Sequence, residues 1–508
     1  MAKSKQRTEF GDFQTPPPLA GAVCDLLERL GNAPAAVVEP TCGQGHLLLA
    51  ALDRFPRAAV AVGLDVNVGY LAGLERSLAE RAAGRTVRLV HGNFFAADWV
   101  AMLAELPEPL LVIGNPPWVT SAELGSLASG NLPPKANFQR HVGLDAITGK
   151  SNFDISEWML IRLLESLHGR SGTLAMLCKT AVARKSLLHA WKHAFSLDAA
   201  ALYGIDAARH FGASVDACLL VCDFRPGRRS QHARVFAGFD AKQPASELGW
   251  RMERVVADVK MFDRWSHLAA DGSDRTHVWR SGVKHDCASV MELRAAGGRW
   301  YNKRGECLDL EPTYVFPLLK SSDVASGRTA RPAQGMIVTQ ATVAAATETI
   351  RETAPKTWAY LLTHGALLDG RRSSIYRKRP RFSVFGVGDY TFAPYKVAIS
   401  GLYKKLRFEV VGSYEGKPVV FDDTVSFLAC PSRGTAERLA RLLNSDPARE
   451  FYSAAIFWDA KRPLTIDVLK RLDLHKLAEH CVIGRSTMPN WARELRRKNW
   501  YSNSAPAS

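Results

Sequence analysis

The sequence predicts an α/β fold, a mostly parallel sheet with helices, followed by a C-terminal half of mixed α+β texture. Three observations carry this. Short β-branched runs alternate with helix-like Leu/Ala series through about the first 225 residues. Successive runs end in polar residues, Glu39, Asp65, Asn93 and Asn115, as in open sheets whose ligand lies at the carboxyl edge. After "RPGRRSQ", beginning at Arg225, the rhythm gives way to aromatic-rich strand candidates mixed with helices.

The first unit is "VVEPTCGQGHLLLAAL", a strand, a glycine turn and a helix. Gly43 and Gly45 let backbone pass close to a ligand, and Glu39 with Pro40 sets a carboxylate at the strand end, where an amino-bearing or cationic ligand is welcome. No third glycine completes a dinucleotide fingerprint, so a pyrophosphate site is disfavoured. The second unit, "AVAVGLDVN", ends in Asp65, 20 residues after Gly45. An acid at that distance binds ribose hydroxyls in nucleoside-binding folds; a helix N-cap is the other reading of Asp65. "TVRLVHGNFF" adds a third strand ending at Asn93-Phe94, and "PLLVIGN" a fourth.

The fourth strand runs into Asn115-Pro116-Pro117-Trp118. Alone, an Asn-Pro-Pro after a strand is a turn. Beside a glycine turn and a ribose-type acid it suits chemistry on an amino nitrogen. An exocyclic amine is a poor nucleophile because its lone pair is delocalised. The Asn115 side-chain oxygen and the Pro116 carbonyl offer two acceptors for its hydrogens, which aims the lone pair at an electrophile. Two prolines fix the carbonyl's direction, and Trp118 offers a flat face for a base.

In this order the motifs resemble those of S-adenosylmethionine-dependent, adenine-N6-specific DNA methyltransferases of the gamma arrangement. The likeness covers residues 1 to about 225. It implies a class I methyltransferase, Rossmann-like, mostly parallel seven-stranded sheet, with a DNA-recognition domain after it. By that resemblance Thr15 and Pro16 of "FQTPPP" close over the methionine end of the cofactor, and Glu39, Pro40, Cys42, Gly43 and Gly45 line its amino-acid part. Asp65 falls at the ribose. Asn93 and Phe94 fall where the family has Asp-Phe, at the cofactor's adenine; an Asn still accepts that hydrogen bond through its carbonyl oxygen. Asn115, Pro116 and Trp118 fall at the catalytic positions, with Pro117 beside the target base. Trp118 departs from the commoner Tyr or Phe. Asn115 favours adenine, since cytosine-directed members often carry Ser there. Phe153, in "SNFDISEW", approaches the active site or packs a helix, and Phe211 is a second wall for the base or a core aromatic.

The expected domains are a catalytic, cofactor-binding domain over 1–240, a DNA-recognition domain over 241–483 and a basic polar tail over 484–508. A net charge of +16 suits a polyanionic partner, double-stranded DNA. Arg371, Arg372, Tyr376, Arg377, Lys378, Arg379 and Arg381, then Tyr403, Lys404, Lys405 and Arg407, interleave bases with aromatics. Of these Arg377, Lys378, Arg379, Lys404 and Lys405 are the candidate phosphate contacts, a solvated charged face being the alternative for any single one. "PLLK" at 317–320 resembles a segment of the family's specificity domains.

The nine cysteines include no CxxC pair and no His cluster, so no metal is expected and reduced thiols in a cytoplasmic protein are. No apolar run reaches membrane-spanning length. A separate cognate restriction endonuclease is a possible partner. The same NPP chemistry also occurs in enzymes that methylate RNA bases, cytosine N4 or a protein glutamine amide, which stay open as alternatives.

Overall fold

The apolar runs of the N-terminal half pair into one sheet in a computed structural model that describes residues 14–119 except 80, 82 and 83, then 154–272 and 277–483. Its strands are β1 (Ala36–Glu39), β2 (Val60–Asp65), β3 (Thr86–His91), β4 (Leu110–Gly114), β5 (Gly172–Lys179), β6 (Leu197–Ile205), β7 (Ala217–Phe224), β8 (His232–Phe236), β9 (Ser246–Arg251) and β10 (Arg254–Val256). They lie in the order β10-β9-β8-β6-β7-β5-β4-β1-β2-β3. From β3 to β5 every pairing is parallel, and β7 enters antiparallel between β5 and β6.

That core of seven strands is the sheet expected from the sequence. Three more extend it, because β8 pairs in parallel with β6, opposite Leu202 and Tyr203, and then turns back through β9 and β10. The expected seam at residue 240 therefore falls inside the sheet, and the compact units are 1–259 and 260–508.

Strands buried on both faces read as continuous apolar runs, and β1 and β4 are buried at every position. Helices α1 (Pro17–Arg29), α2 (His46–Arg54), α3 (Val68–Leu78), α4 (Trp99–Ala104), α5 (Ile155–Leu167), α6 (Thr180–Lys192) and α7 (Ala207–Phe211) connect or flank them. Helix α1 starts on Pro17, whose missing N–H is one the first turn would leave unbonded anyway. Helix α3 starts on Asn67, whose side chain accepts from Gly69 N and Tyr70 N. Leu19, Val23 and Leu27 of α1, with Leu47 and Leu48 of α2, close over Val37, Leu111, Ile113, Ala175 and Leu177 of the sheet. Register then fixes the working edge. Glu39 pairs with Gly63, Asp65 ends β2, and Gly114 pairs with Met176, so the polar strand ends share one side.

The second unit is mixed α+β. Its strands are β11 (Arg280–Ser281), β12 (Glu292–Ala296), β13 (Arg299–Asn302), β14 (Cys307–Leu308), β15 (Val315–Leu319), β16 (Gln334–Ile337), β17 (Tyr395–Ser400), β18 (Glu409–Gly412), β19 (Val420–Phe421) and β20 (Val425–Cys430). They form a four-stranded sheet, β11-β20-β17-β18, and a six-stranded one, β14-β13-β12-β16-β15-β19. "PLLK" ends β15, and its Lys320 ammonium donates to Glu292 at 2.7 Å, beside Lys303 at 2.6 Å and His285 at 3.3 Å. Burial pushes the Glu292 carboxyl up, yet the hydrogen bonds from His285, Lys303 and Lys320 outweigh it and hold it at about 2.

Among the described residues no helix is long and apolar enough to cross a membrane, and no His/Cys/Asp/Glu group is arranged to hold a metal. The nine cysteines are free thiols. Phe153 and the 484–508 tail lie outside the described residues.

Candidate active site at the carboxyl edge of the sheet

The turn after β1 is built around two left-handed glycines, Gly43 at φ 50° and Gly45 at φ 76°. A Cβ on Gly45 would stand 2.3 Å from Leu74 Cδ1, so neither the backbone nor the space admits a side chain. Asp65 holds the turn from β2: its carboxylate accepts from Gly43 N at 2.7 Å and from Asn67 N at 2.8 Å. Asp65 is not the N-cap of α3, a place that Asn67 takes; it organises the loop before that helix from the end of β2.

Glu39 lies beneath the turn, 3% exposed. Its Oε2 accepts from Leu48 N at 2.9 Å, in the first turn of α2. Burial pushes this carboxyl well above the usual range, the Leu48 N–H opposes the shift, and Asp65 adds to it. No cation pairs with Glu39 among the described residues. Thr41 Oγ1, two residues on, is buried without a hydrogen-bond partner. A buried acid and an orphaned hydroxyl at one strand end are what a bound amino-bearing group would satisfy. The Cys42 thiol is pushed up by burial, then by Glu39 and Asp65, and so stays protonated.

The segment before α1 packs on this turn. Gln14 Oε1 accepts from Gln44 N at 3.0 Å, His46 Nδ1 lies 2.7 Å from the Thr15 carbonyl, and Thr15 itself is buried. Thr15 and Pro16, with Glu39, Pro40, Cys42, Gly43, Gly45 and Asp65, are thus brought together. Asn93 stands after β3 with its Oδ1 accepting from Phe95 N at 2.9 Å.

Phe94, beside Asn93, is 3% exposed and packed against Trp99 at 4.8 Å, with Phe95 and Trp158 near it, so its ring ties the strand end to α4 and α5.

Asn115, Pro116 and Pro117 follow β4 at this same edge, and Asn115 Oδ1 is withdrawn from solvent. The Trp118 indole is 6% exposed, donates Nε1–H to the Leu177 carbonyl at 3.3 Å and meets Phe211 in a T-shaped contact at 5.0 Å. The Nε1–H bond ties the motif to β5. Phe211, 9% exposed, is correspondingly a core aromatic.

In the second unit the basic string divides by role. Arg371 donates to the carbonyls of Leu368 (2.7 Å), Ser383 (2.7 Å) and His285 (3.2 Å) and lies 3.8 Å from the Tyr376 ring centre. Arg381 pairs with Asp369 at 2.8 Å, and Arg407 with Glu409 at 2.6 Å. Arg371 and Arg381 hold the loop between them. Arg372, Arg377, Lys378 and Arg379 on it are exposed, as are Lys404 and Lys405. Their side chains make no ion pair or hydrogen bond among the described residues, so their charge is available to an anion.

Sequence reasoning missed Gln14, Thr41 and Leu48 at the turn, and Asp154 and Lys179 beside Trp118. Only Asp154 carried a local signal, as an Asp before a helix with Ser156 two residues on.

The chain is 44% identical over 476 residues to the Type II methyltransferase M.NspV of Nostoc sp., covering 94% of this chain and 98% of that protein. No protein-family model matches. Among solved structures, the Type IIL restriction-modification enzyme MmeI, determined in complex with DNA, aligns with a TM-score of 0.52 at 11% identity, over 96% of this chain and 71% of its own. At that identity the likeness concerns the fold. The match to M.NspV runs over nearly the whole of both chains, and on it the chain belongs to the Type II methyltransferases.

Proposed function

We propose that the protein is the modification enzyme of a restriction-modification system and methylates the N6 amine of adenine at a specific sequence in double-stranded DNA. The observation that carries this reading is Asn115-Pro116 at the end of β4, on the same sheet edge as the 39–45 turn and Asp65. S-adenosylmethionine, the cofactor this reading requires, supplies an electrophilic methyl group. The structure's own residues suit it. Glu39 and Thr41 have buried hydrogen-bonding capacity for the amino-acid end, the bare backbone of Gly43 and Gly45 admits close approach, and Asp65 faces the ribose. Asn93 remains the polar group for the adenine end.

On this reading the target adenine leaves the duplex, at a cost of about a few kcal/mol. Phosphate contacts from Arg377, Lys378, Arg379, Lys404 and Lys405 help to offset that cost. Asn115 Oδ1 and the Pro116 carbonyl then accept the two amine hydrogens. The nitrogen lone pair would turn out of the ring plane to attack the sulfonium methyl, whose bond to sulfur breaks with the neutral thioether as leaving group; the acceptors gain strength as positive charge grows on nitrogen, until one amine proton is lost to solvent. Pro117 borders the base, and Trp118 holds the segment from behind. No side chain needs to form a covalent bond. A separate cognate endonuclease is the partner such an enzyme implies.

The test is expression in a host without DNA methylation, digestion of its DNA to nucleosides, and mass spectrometry. N6-methyladenine with the wild type and its loss with Asn115→Ala is the expected result. Methylcytosine, or methylated RNA or protein with unmodified DNA, overturns the substrate assignment. Undiminished methylation by Asn115→Ala overturns the catalytic one.

A further inference from the structure

We propose that Lys179 is a positioning residue for methyl transfer, which holds the Pro116 acceptor in place from outside the motif; this rests on the catalytic reading of Asn115-Pro116. The β4–β5 ladder stops at Gly114, opposite Met176. Beyond it residues 115–119 lie past the last ladder pair, and something else must hold them. Lys179, the last residue of β5, sends its ammonium to the Trp118 carbonyl at 2.9 Å and to Asp154 Oδ2 at 2.6 Å. Asp154 caps α5 by accepting from Ser156 N at 3.1 Å, and Ile155 N donates to the Val119 carbonyl at 2.9 Å. One cation thus joins the end of β5, the end of the motif and the start of α5. The pair is largely enclosed, with side chains 24% and 11% exposed, so solvent screens it weakly.

The clamp reaches the chemistry through a stiff lever. The φ of Pro117 is locked, which removes one soft torsion from the short backbone path between the Trp118 and Pro116 carbonyls. Fixing the first narrows the direction of the second. The Trp118 indole pins the same residue from its other side, on the Leu177 carbonyl. Without the ammonium, the Trp118 carbonyl would lose this donor and the Asp154 carboxylate its counter-ion, which leaves the Trp118 indole on Leu177 and the Ile155 N–H on Val119 to hold the end of the motif.

The experiment compares Lys179→Met, Lys179→Arg and Asp154→Asn with Asn115→Ala in the full-length protein. It uses single-turnover transfer to the methylated site, calorimetric affinity for S-adenosylmethionine, and hydrogen exchange of the free protein over residues 112–119. A misplacement near 1 Å costs about 100-fold in rate, so Lys179→Met is expected to slow transfer by roughly that factor. Cofactor affinity should stay within about twofold of wild type, and exchange over 112–119 should rise. Lys179→Arg should recover most of the rate because it keeps the cation, and Asp154→Asn, which retains shape, should show a smaller loss of the same kind. Wild-type transfer and exchange in Lys179→Met, with Asn115→Ala inactive, would overturn the clamp. So would a loss that Lys179→Arg does not recover and that follows cofactor affinity or melting temperature in all three variants. Activity in Asn115→Ala is the separate result that would remove the catalytic reading instead.

Discussion

Gly45→Ala tests whether the turn of the proposed cofactor site is held by shape. The substitution has two separable costs. Gly45 sits at φ 76°, ψ 19°, as the N-cap of α2. A residue with a Cβ loses about 1–2 kcal/mol in that left-handed region. The new methyl would also lie 2.3 Å from Leu74 Cδ1 and 2.7 Å from Cδ2. Leu74 is 1% exposed and cannot swing aside without disturbing the core between α3 and the sheet. Overpacking of this kind costs roughly 1–3 kcal/mol. Together these give about 2–5 kcal/mol, or a fall in melting temperature of roughly 5–15 °C for a unit of this size. Cofactor affinity should fall too, because the methyl displaces the backbone that Glu39 and Asp65 hold in place. The assay is a double-mutant cycle in melting temperature, with Leu74→Ala as the second change. In that background the methyl finds room, and Gly45→Ala should cost only the backbone part, which leaves a coupling of about 1–3 kcal/mol. Equal costs in both backgrounds would refute the argument from space and leave φ as the only cause.

Two predictions concern the second unit. Replacing Arg377, Lys378 and Arg379 together by Ala should make the dependence of log affinity for DNA on log salt shallower by up to about 2.7, at roughly 0.9 for each phosphate no longer neutralised, with the melting temperature little changed; an unchanged slope in anisotropy titrations from low to moderate salt would take this loop off the DNA. Glu292 should give the unit a specific acid sensitivity. Its folded carboxyl titrates at about 2 against an ordinary 4.5, so its contribution is complete above about pH 4.5 and is lost as pH falls towards 2, by at most about 1.4 kcal/mol per pH unit. Wild type should therefore lose melting temperature more steeply than Glu292→Gln between about pH 5 and pH 2.5, and parallel curves would show that the three cations do not act through this carboxylate.

How much was legible in the sequence follows from the range of the interactions involved. β1 and β4 were readable because a parallel strand covered on both faces must be apolar throughout, and the polar residue after it must then mark the edge. The glycine turn was readable because left-handed φ angles favour glycine and two glycines stand close together after an apolar run. The burial of Phe94 and Trp118 was not, since it is decided by α4, α5 and β5, which meet them only in the folded chain. Lys179 was invisible for the same reason: it lies 61 residues from the carbonyl it binds. The added strands β8 to β10 depend on an edge of β6 that no local pattern announces.

The basic string over 371–381 shows the limit most clearly, because its members are chemically alike and only their surroundings separate them. Arg371 points at three carbonyls and Arg381 at Asp369, so both are consumed in shaping the loop. Arg377, Lys378 and Arg379 lie between those two anchors, with their charge facing solvent. A loop fixed at both ends in this way gives up less conformational entropy when a phosphate binds than a free basic tail would. If this loop meets DNA as proposed, the anchoring arginines would contribute to affinity without touching it, whereas composition alone would assign all five the same role.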